Sequence, residues 1–161
     1  MTYLPSGCGT PKLAELDAFW AAARAAATLE SEHYQVRWIG LDHASTEEVL
    51  ELIVSGDKTG TFTLPWIIVA TGDPEPAVGD AIILIDFEGH PRQLVELTHI
   101  ERVDFGAVTT AHTAIDGTPV RDLSIWKPLH TSYWNALLAP FGKSVSDDMP
   151  VWVEGFRLVY P

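Results

Sequence analysis

Ala81-Ile82-Ile83-Leu84-Ile85-Asp86-Phe87, then Glu88-Gly89-His90-Pro91 and the return through Gln93 to Val103, is the stretch on which the fold turns. A short apolar run rich in β-branched residues, bounded by turn formers and followed by a second such run, predicts a hairpin of two antiparallel strands. Upstream, the turn-rich segment 72–80 separates it from Trp66 to Ala70, which reads as a further strand. Downstream, Arg121 to Leu138 predicts a helix that Pro128 either kinks or restarts. Met149 to Tyr160 predicts a closing strand with a bulge at Glu154-Gly155.

The N-terminal third has the other period. Thr10-Pro11 reads as a cap followed by first-turn proline. Leu13, Leu16, Phe19, Trp20, Ala23 and Ala27 then recur at helical spacing, giving a helix to about Leu29. Tyr34 to Ile39 reads as a short strand ending at Gly40. Ser45 to Glu48 has the form of a capping box, Val49, Leu50, Ile53 and Val54 make one apolar face, and Gly56 stands where that helix stops. No repeat or linker interrupts the chain. The expected architecture is α+β, a small mixed and antiparallel, partly closed β-barrel flanked by helices. Residues 1–161 read as a single domain with an N-terminal helical extension over about 1–33.

Composition narrows the partners. With 161 residues, 47% of them hydrophobic and 20% charged, the chain is long and apolar enough for one packed core. Acidic residues outnumber basic ones 22 to 10, a formal net charge of −12, and no two basic residues are adjacent. Duplex-binding surfaces are built from clustered Lys and Arg, so duplex DNA is an unsuitable partner and a pocket for something small is the better fit. No apolar run reaches the roughly 20 residues of a membrane helix. Met1 to Gly9 lacks the basic start and apolar core of a leader, and Cys8 has no internal partner, so the expected location is the cytoplasm. The sequence does not determine the oligomeric state.

The chemistry-bearing segment is Gly56-Asp57-Lys58-Thr59-Gly60-Thr61. Lys58 and Thr61 stand three apart, and in a turn or last helical coil such positions face one side. An amine beside a hydroxyl is a minimal base and nucleophile when the lysine is desolvated; the plainer reading is a solvated loop lysine ahead of a strand. A phosphate loop is excluded because Asp57, not glycine, precedes Lys58 and a helix precedes the loop. The six histidines show no paired ligand spacing, so neither a metal nor a cofactor is expected. No G-x-S-x-G elbow is present. The six tryptophans offer stacking surface for a base, although most such residues serve a core.

In order, these pieces are Gly56-x-Lys58-x-x-Thr61, Pro76-x-Val78-Gly79-Asp80, Asp86-Phe87-Glu88-Gly89-x-Pro91, Phe105-x-x-Val108-Thr109, Trp126-x-x-x-His130-x-x-Tyr133-Trp134 and a last strand carrying Phe156. The series resembles the ASCH domain family of the PUA-like superfamily from about Trp38 to the C-terminus. Phe19-Trp20 resembles the N-terminal helix of its longer bacterial members. The resemblance implies a small barrel whose helices close a cleft lined by the Gly56 to Thr61 segment, in a superfamily associated with RNA and modified bases. One bacterial branch consists of amidohydrolases acting on N4-acetylcytidine, and other members have been assigned ribonuclease activity.

In the amidohydrolase branch the lysine and threonine act with a later carboxylate. Lys58 and Thr61 carry over directly. The third member is a glutamate in the family, and the matching segment here, from His112-Thr113, supplies Asp116. Thr63 stands where that branch has arginine. The implied mechanism has a desolvated, neutral Lys58 taking the proton of Thr61, Asp116 orienting the lysine or the substrate amine, and backbone N–H groups of 59–61 meeting the oxyanion. Gly56, Thr59, Thr63, Trp126, His130 and Tyr133 are the implied binding residues. The partner is then a nucleoside-like substrate or single-stranded RNA. A non-catalytic binding module and a single-strand ribonuclease are the alternatives.

Overall fold

The computed structural model describes residues 6–161. The leader-free reading of Met1 to Gly9 falls in part on residues 1–5, outside the described residues. Helix α1 spans Leu13–Ala26, strand β1 Tyr34–Trp38, helix α2 His43–Ser55, strand β2 Gly60–Thr63 and helix α3 Pro65–Thr71. Strands β3 (Ala81–Ile85) and β4 (Pro91–Asp104) follow, then the short helix α4 (Thr110–Thr113), helix α5 (Leu123–Leu138) and strand β5 (Pro150–Tyr160).

The five strands form one sheet in the order β1-β3-β4-β5-β2. Only β1 and β3 run parallel; the other neighbours are antiparallel. The α+β expectation holds in this coarser form, a mixed sheet flanked by helices. The sheet is not closed into a barrel: β1 and β2 are its two edges, and no ladder joins them. A side-chain bridge spans the gap instead. Glu154 on β5 accepts from Arg37 on β1 and from Thr63 on β2.

The run of five apolar residues in β3 has a clear cause. Ala81, Ile83 and Ile85 pack with Leu16 and Ala23 of α1, while Ile82 and Leu84 pack with Leu50 and Ile53 of α2. A strand covered on both faces carries no polar alternation. A third cluster joins α5 to β2 and β5, with Trp126, Trp134 and Leu138 packed on Phe62, Val151 and Val153. No helix of the described residues is long and apolar enough to cross a membrane.

Several local expectations need correction. Trp66 to Ala70 is helical: Pro65 takes the first helical position, where its missing N–H costs nothing, and Gly72 ends the helix in the left-handed region. The strand in this part is β2, displaced toward the N-terminus. Helix α1 stops at Ala26 rather than near Leu29, with Ala27 already extended. Asp42, not Ser45, caps α2; its carboxylate accepts from the Ser45 N–H and Ser45 answers as the third residue of the box. The irregularity near Gly155 lies on the partner strand, where Thr98 is the extra residue between the pairs Leu97–Phe156 and His99–Gly155. Pro128 lies inside a continuous α5.

Candidate functional site

Helix α2 delivers the chain to the site. Gly56 ends it at φ 78°, a conformation that L side chains rarely adopt, and the backbone then turns into Lys58. The Lys58 N–H donates to the Leu52 carbonyl at 3.0 Å, and the Thr59 N–H to the Ile115 carbonyl at 2.9 Å. Segment 115–121 therefore lies directly against the motif. Gly60 permits that approach, because a Cβ there would stand 2.4 Å from Ile115 Cδ1 and 2.5 Å from the Glu154 carbonyl. Asp57 clamps the same segment, accepting from the Thr118 N–H at 2.7 Å while Arg121 donates to its carbonyl at 2.6 Å. Those contacts, with Arg121 beside it, hold the Asp57 carboxyl below the usual carboxylate range.

The clamp brings Asp116 onto Lys58. Lys58 Nζ donates to Asp116 Oδ1 at 2.6 Å, with the two side chains only 5% and 9% exposed. Asp116 Oδ1 also accepts from the Gly117 N–H at 2.9 Å. Lys58 is thus a buried, paired lysine and not a solvated loop residue. Its hydrogen bond goes to Asp116 and not to Thr61. Nor are Lys58 and Thr61 on a helical coil: Lys58 lies in the link, and Thr61 is the second residue of β2, opposite Glu154.

Two adjoining lobes share a wall that includes Thr61. The smaller, about 300 Å³, is lined by Lys58, Asp116, His130, Tyr133, Trp38 and Thr61 among others. The larger, about 450 Å³, is lined by Thr61, Thr63, Arg37, Trp38, Tyr133 and a wall of aliphatic side chains. Trp38, Phe62, Tyr133 and Trp134 border both lobes and supply aromatic surface.

The implied binding residues separate into groups. His130, Tyr133 and Thr63 reach the cleft. Trp126 is fully buried and lines neither lobe; it stacks behind His130 at 4.1 Å and 23°, since α5 turns its large apolar side chain inward against Phe62. Gly56 and Thr59 line neither lobe, and their contribution is to the turn. The Thr59 N–H is already taken by Ile115 and is not available to an oxyanion. Sequence reasoning does not reach Arg37 and Trp38, which line the cleft, or Glu154, which lines neither lobe but holds Arg37 and Thr63. The available signal was Glu154 itself, a carboxylate inside the apolar run of β5. Among the described residues no group of His, Cys, Asp or Glu side chains is arranged to hold a metal ion.

Tyr34, in the larger lobe, is raised by burial from 10 to about 12, and His130, in the smaller, shifts strongly as well. Burial lowers the His130 pKa from 6.5 to about 4, outweighing the opposing effects of the Trp126 carbonyl and Asp116. The Trp126 carbonyl, 2.8 Å from Nδ1, can only accept, so Nδ1 carries the proton and Nε2 keeps its lone pair. Because the folded value lies below the unfolded one, the unfolded chain takes up a proton first as pH falls. Stability from this residue is complete above about pH 6.5 and falls by about tenfold in the folding constant per pH unit down to about pH 4. His130→Phe is expected to flatten that part of the profile when urea midpoints of the two proteins are compared at pH 7 and pH 5. An equal loss in both would place the acid sensitivity elsewhere.

The family model described as the ASCH domain matches residues 37–160. The crystal structure of an ASCH domain from Lactobacillus crispatus is similar at a TM-score of 0.83 and 19% identity, covering 92% of this chain and 96% of that one. A crystal structure from Enterococcus faecalis, assigned to the DUF984 family, is similar at a TM-score of 0.81 and 23% identity, covering 92% of this chain and 90% of that one. At such identities the two structures speak for the fold. No curated protein matches the chain. With the family model spanning most of its length and the same fold found independently, the chain belongs to the ASCH domain family.

Proposed function

We propose that this chain takes an N4-acylated cytidine, or a closely related nucleoside amide, into the cleft and hydrolyses the amide. The carrying observation is the buried Lys58–Asp116 pair in the wall of a nucleoside-sized lobe whose lining also includes Thr61. Aromatic walls suit the face of a base, and a net charge of −12 suits a small substrate better than a polyanion. We read α1 as part of the same unit, since Leu16 and Ala23 are buried against β3.

The chemistry follows from the pair. Lys58 passes one proton along its hydrogen bond to Asp116 and takes the Thr61 hydroxyl proton in its place. Thr61 Oγ bonds to the acyl carbon, the bond from that carbon to N4 breaks, and the Thr61 proton goes to the departing amine. Water then cleaves the acyl-threonine, releasing a carboxylic acid and restoring the hydroxyl. The step requires Lys58 Nζ to reach Thr61 Oγ from its place on Asp116 when substrate is bound.

The test is release of cytidine from N4-acetylcytidine by the purified protein, with a short single-stranded RNA in parallel. Thr61→Val and Lys58→Met are each expected to lower kcat/KM by about 100-fold or more. Binding without turnover would favour a recognition module. Cleavage of the RNA, with the amide untouched, would favour a nuclease.

A further inference from the structure

We infer that the larger lobe is an acyl subsite and that the preferred substrates carry acyl groups several carbons longer than acetyl; this rests on the reading of Thr61 as acyl acceptor. Thr61 borders both lobes, so a bond broken at its hydroxyl leaves one part of the substrate in each. The smaller lobe has the Lys58–Asp116 pair for the polar base. The larger lobe has room for far more than a methyl group.

Its chemistry is apolar where it is not already satisfied. Val36, Leu64, Ile67, Ile68, Leu84 and Leu137 form the aliphatic wall. Most of the polar side chains there have protein partners; Trp38 Nε1 is buried without one, so occupancy strands nothing further at it. Arg37 and Thr63 are held by Glu154, Gln35 donates to Asp80 at 3.1 Å, Tyr34 donates to Asp17 at 2.7 Å, and Asp73 accepts from Thr71 at 2.7 Å. A hydrocarbon chain entering the lobe therefore need not strand a polar group, which is the usual obstacle to apolar occupancy. Arg37 is already matched by a carboxylate, so the lobe offers no uncompensated cation to a phosphate. The balance of groups favours an alkyl or aryl tail over an anion.

The experiment uses N4-acetyl-, N4-butyryl- and N4-hexanoylcytidine. Rates are measured on the native chain, and affinities on Thr61→Val by quenching of the tryptophans that border the lobes. Both kcat/KM and affinity are expected to rise with length, by up to about fourfold per methylene while burial continues. Ile68→Trp, which narrows the lobe, is expected to lower the hexanoyl-to-acetyl ratio of kcat/KM by about tenfold. Hydrolysis of the acetyl compound with falling or flat rates and affinities along the series would overturn the acyl subsite and leave the proposed function standing. Failure of all three to be hydrolysed would remove the proposed function. The affinity series then decides alone: a rise with length keeps the apolar subsite, and a flat or absent response removes it.

Discussion

Lys58→Met is expected to lower unfolding free energy by about 3–5 kcal/mol at pH 7, the cost typical of leaving one partner of a buried ion pair uncompensated. The stranded group is Asp116, which is buried and held in place by the Gly117 N–H. Solvent screening does little to soften the loss, because both side chains of the pair are almost wholly covered. Adding Asp116→Leu removes the stranded carboxylate, and the double variant is expected to recover most of that stability. Urea titrations of the native chain, both single variants and the double variant close the cycle. A cost below about 1 kcal/mol for Lys58→Met would mean that water reaches the pair. The double variant also separates two roles. If the pair were only a structural tie, refolding it as a hydrophobic contact would restore amide hydrolysis with stability. We expect stability to return and turnover to stay lost.

Glu154→Ala is the second large effect, again about 3–5 kcal/mol. Glu154 is completely buried, and Arg37 is only 18% exposed. Alanine would leave that guanidinium facing an empty space and would release Thr63 as well. Thr63→Val, which removes a single hydrogen bond to the carboxylate, is expected to cost about 1.5–3 kcal/mol. Glu154 also joins the two sheet edges, so its loss is expected to speed hydrogen exchange of the β1 amides more than those of β3. Equal stability of Glu154→Ala and Thr63→Val, with unchanged β1 exchange, would show that the bridge does not hold the edges together.

Much of the scaffold is legible along the chain because its causes are local. The apolar run Ala81 to Ile85, the turn through Gly89 and the capped helix ending at Gly56 depend on periodicity and on residues within a few positions. Local signals misled where two structures compete for one apolar segment. Trp66 to Ala70 has the composition of a buried strand, and Pro65 was the residue that marked it as a helix start. The strand β2 has four residues, too few to show a period. Ser45 fits a capping box as its first member, but Asp42 three residues earlier fits better and supplies the carboxylate.

The site divides along the same line. Sequence by itself determined the α+β class and the family resemblance, and through that resemblance it proposed Asp116 as a partner for Lys58 and Thr61. It did not determine whether Lys58 is buried, because that depends on segment 115–121 closing over it, 58 positions along the chain from Lys58 to Asp116. It marked Glu154 as a carboxylate inside an apolar run but gave no sign of its partner Arg37, 117 positions away, which the sheet brings to it. Only the tertiary structure placed Trp126 behind the cleft rather than in it, since a helix face is assigned by what packs on it. Patterns within a few residues decide which elements form; desolvation and charge pairing, on which the proposed chemistry rests, are properties of surfaces brought together from far apart.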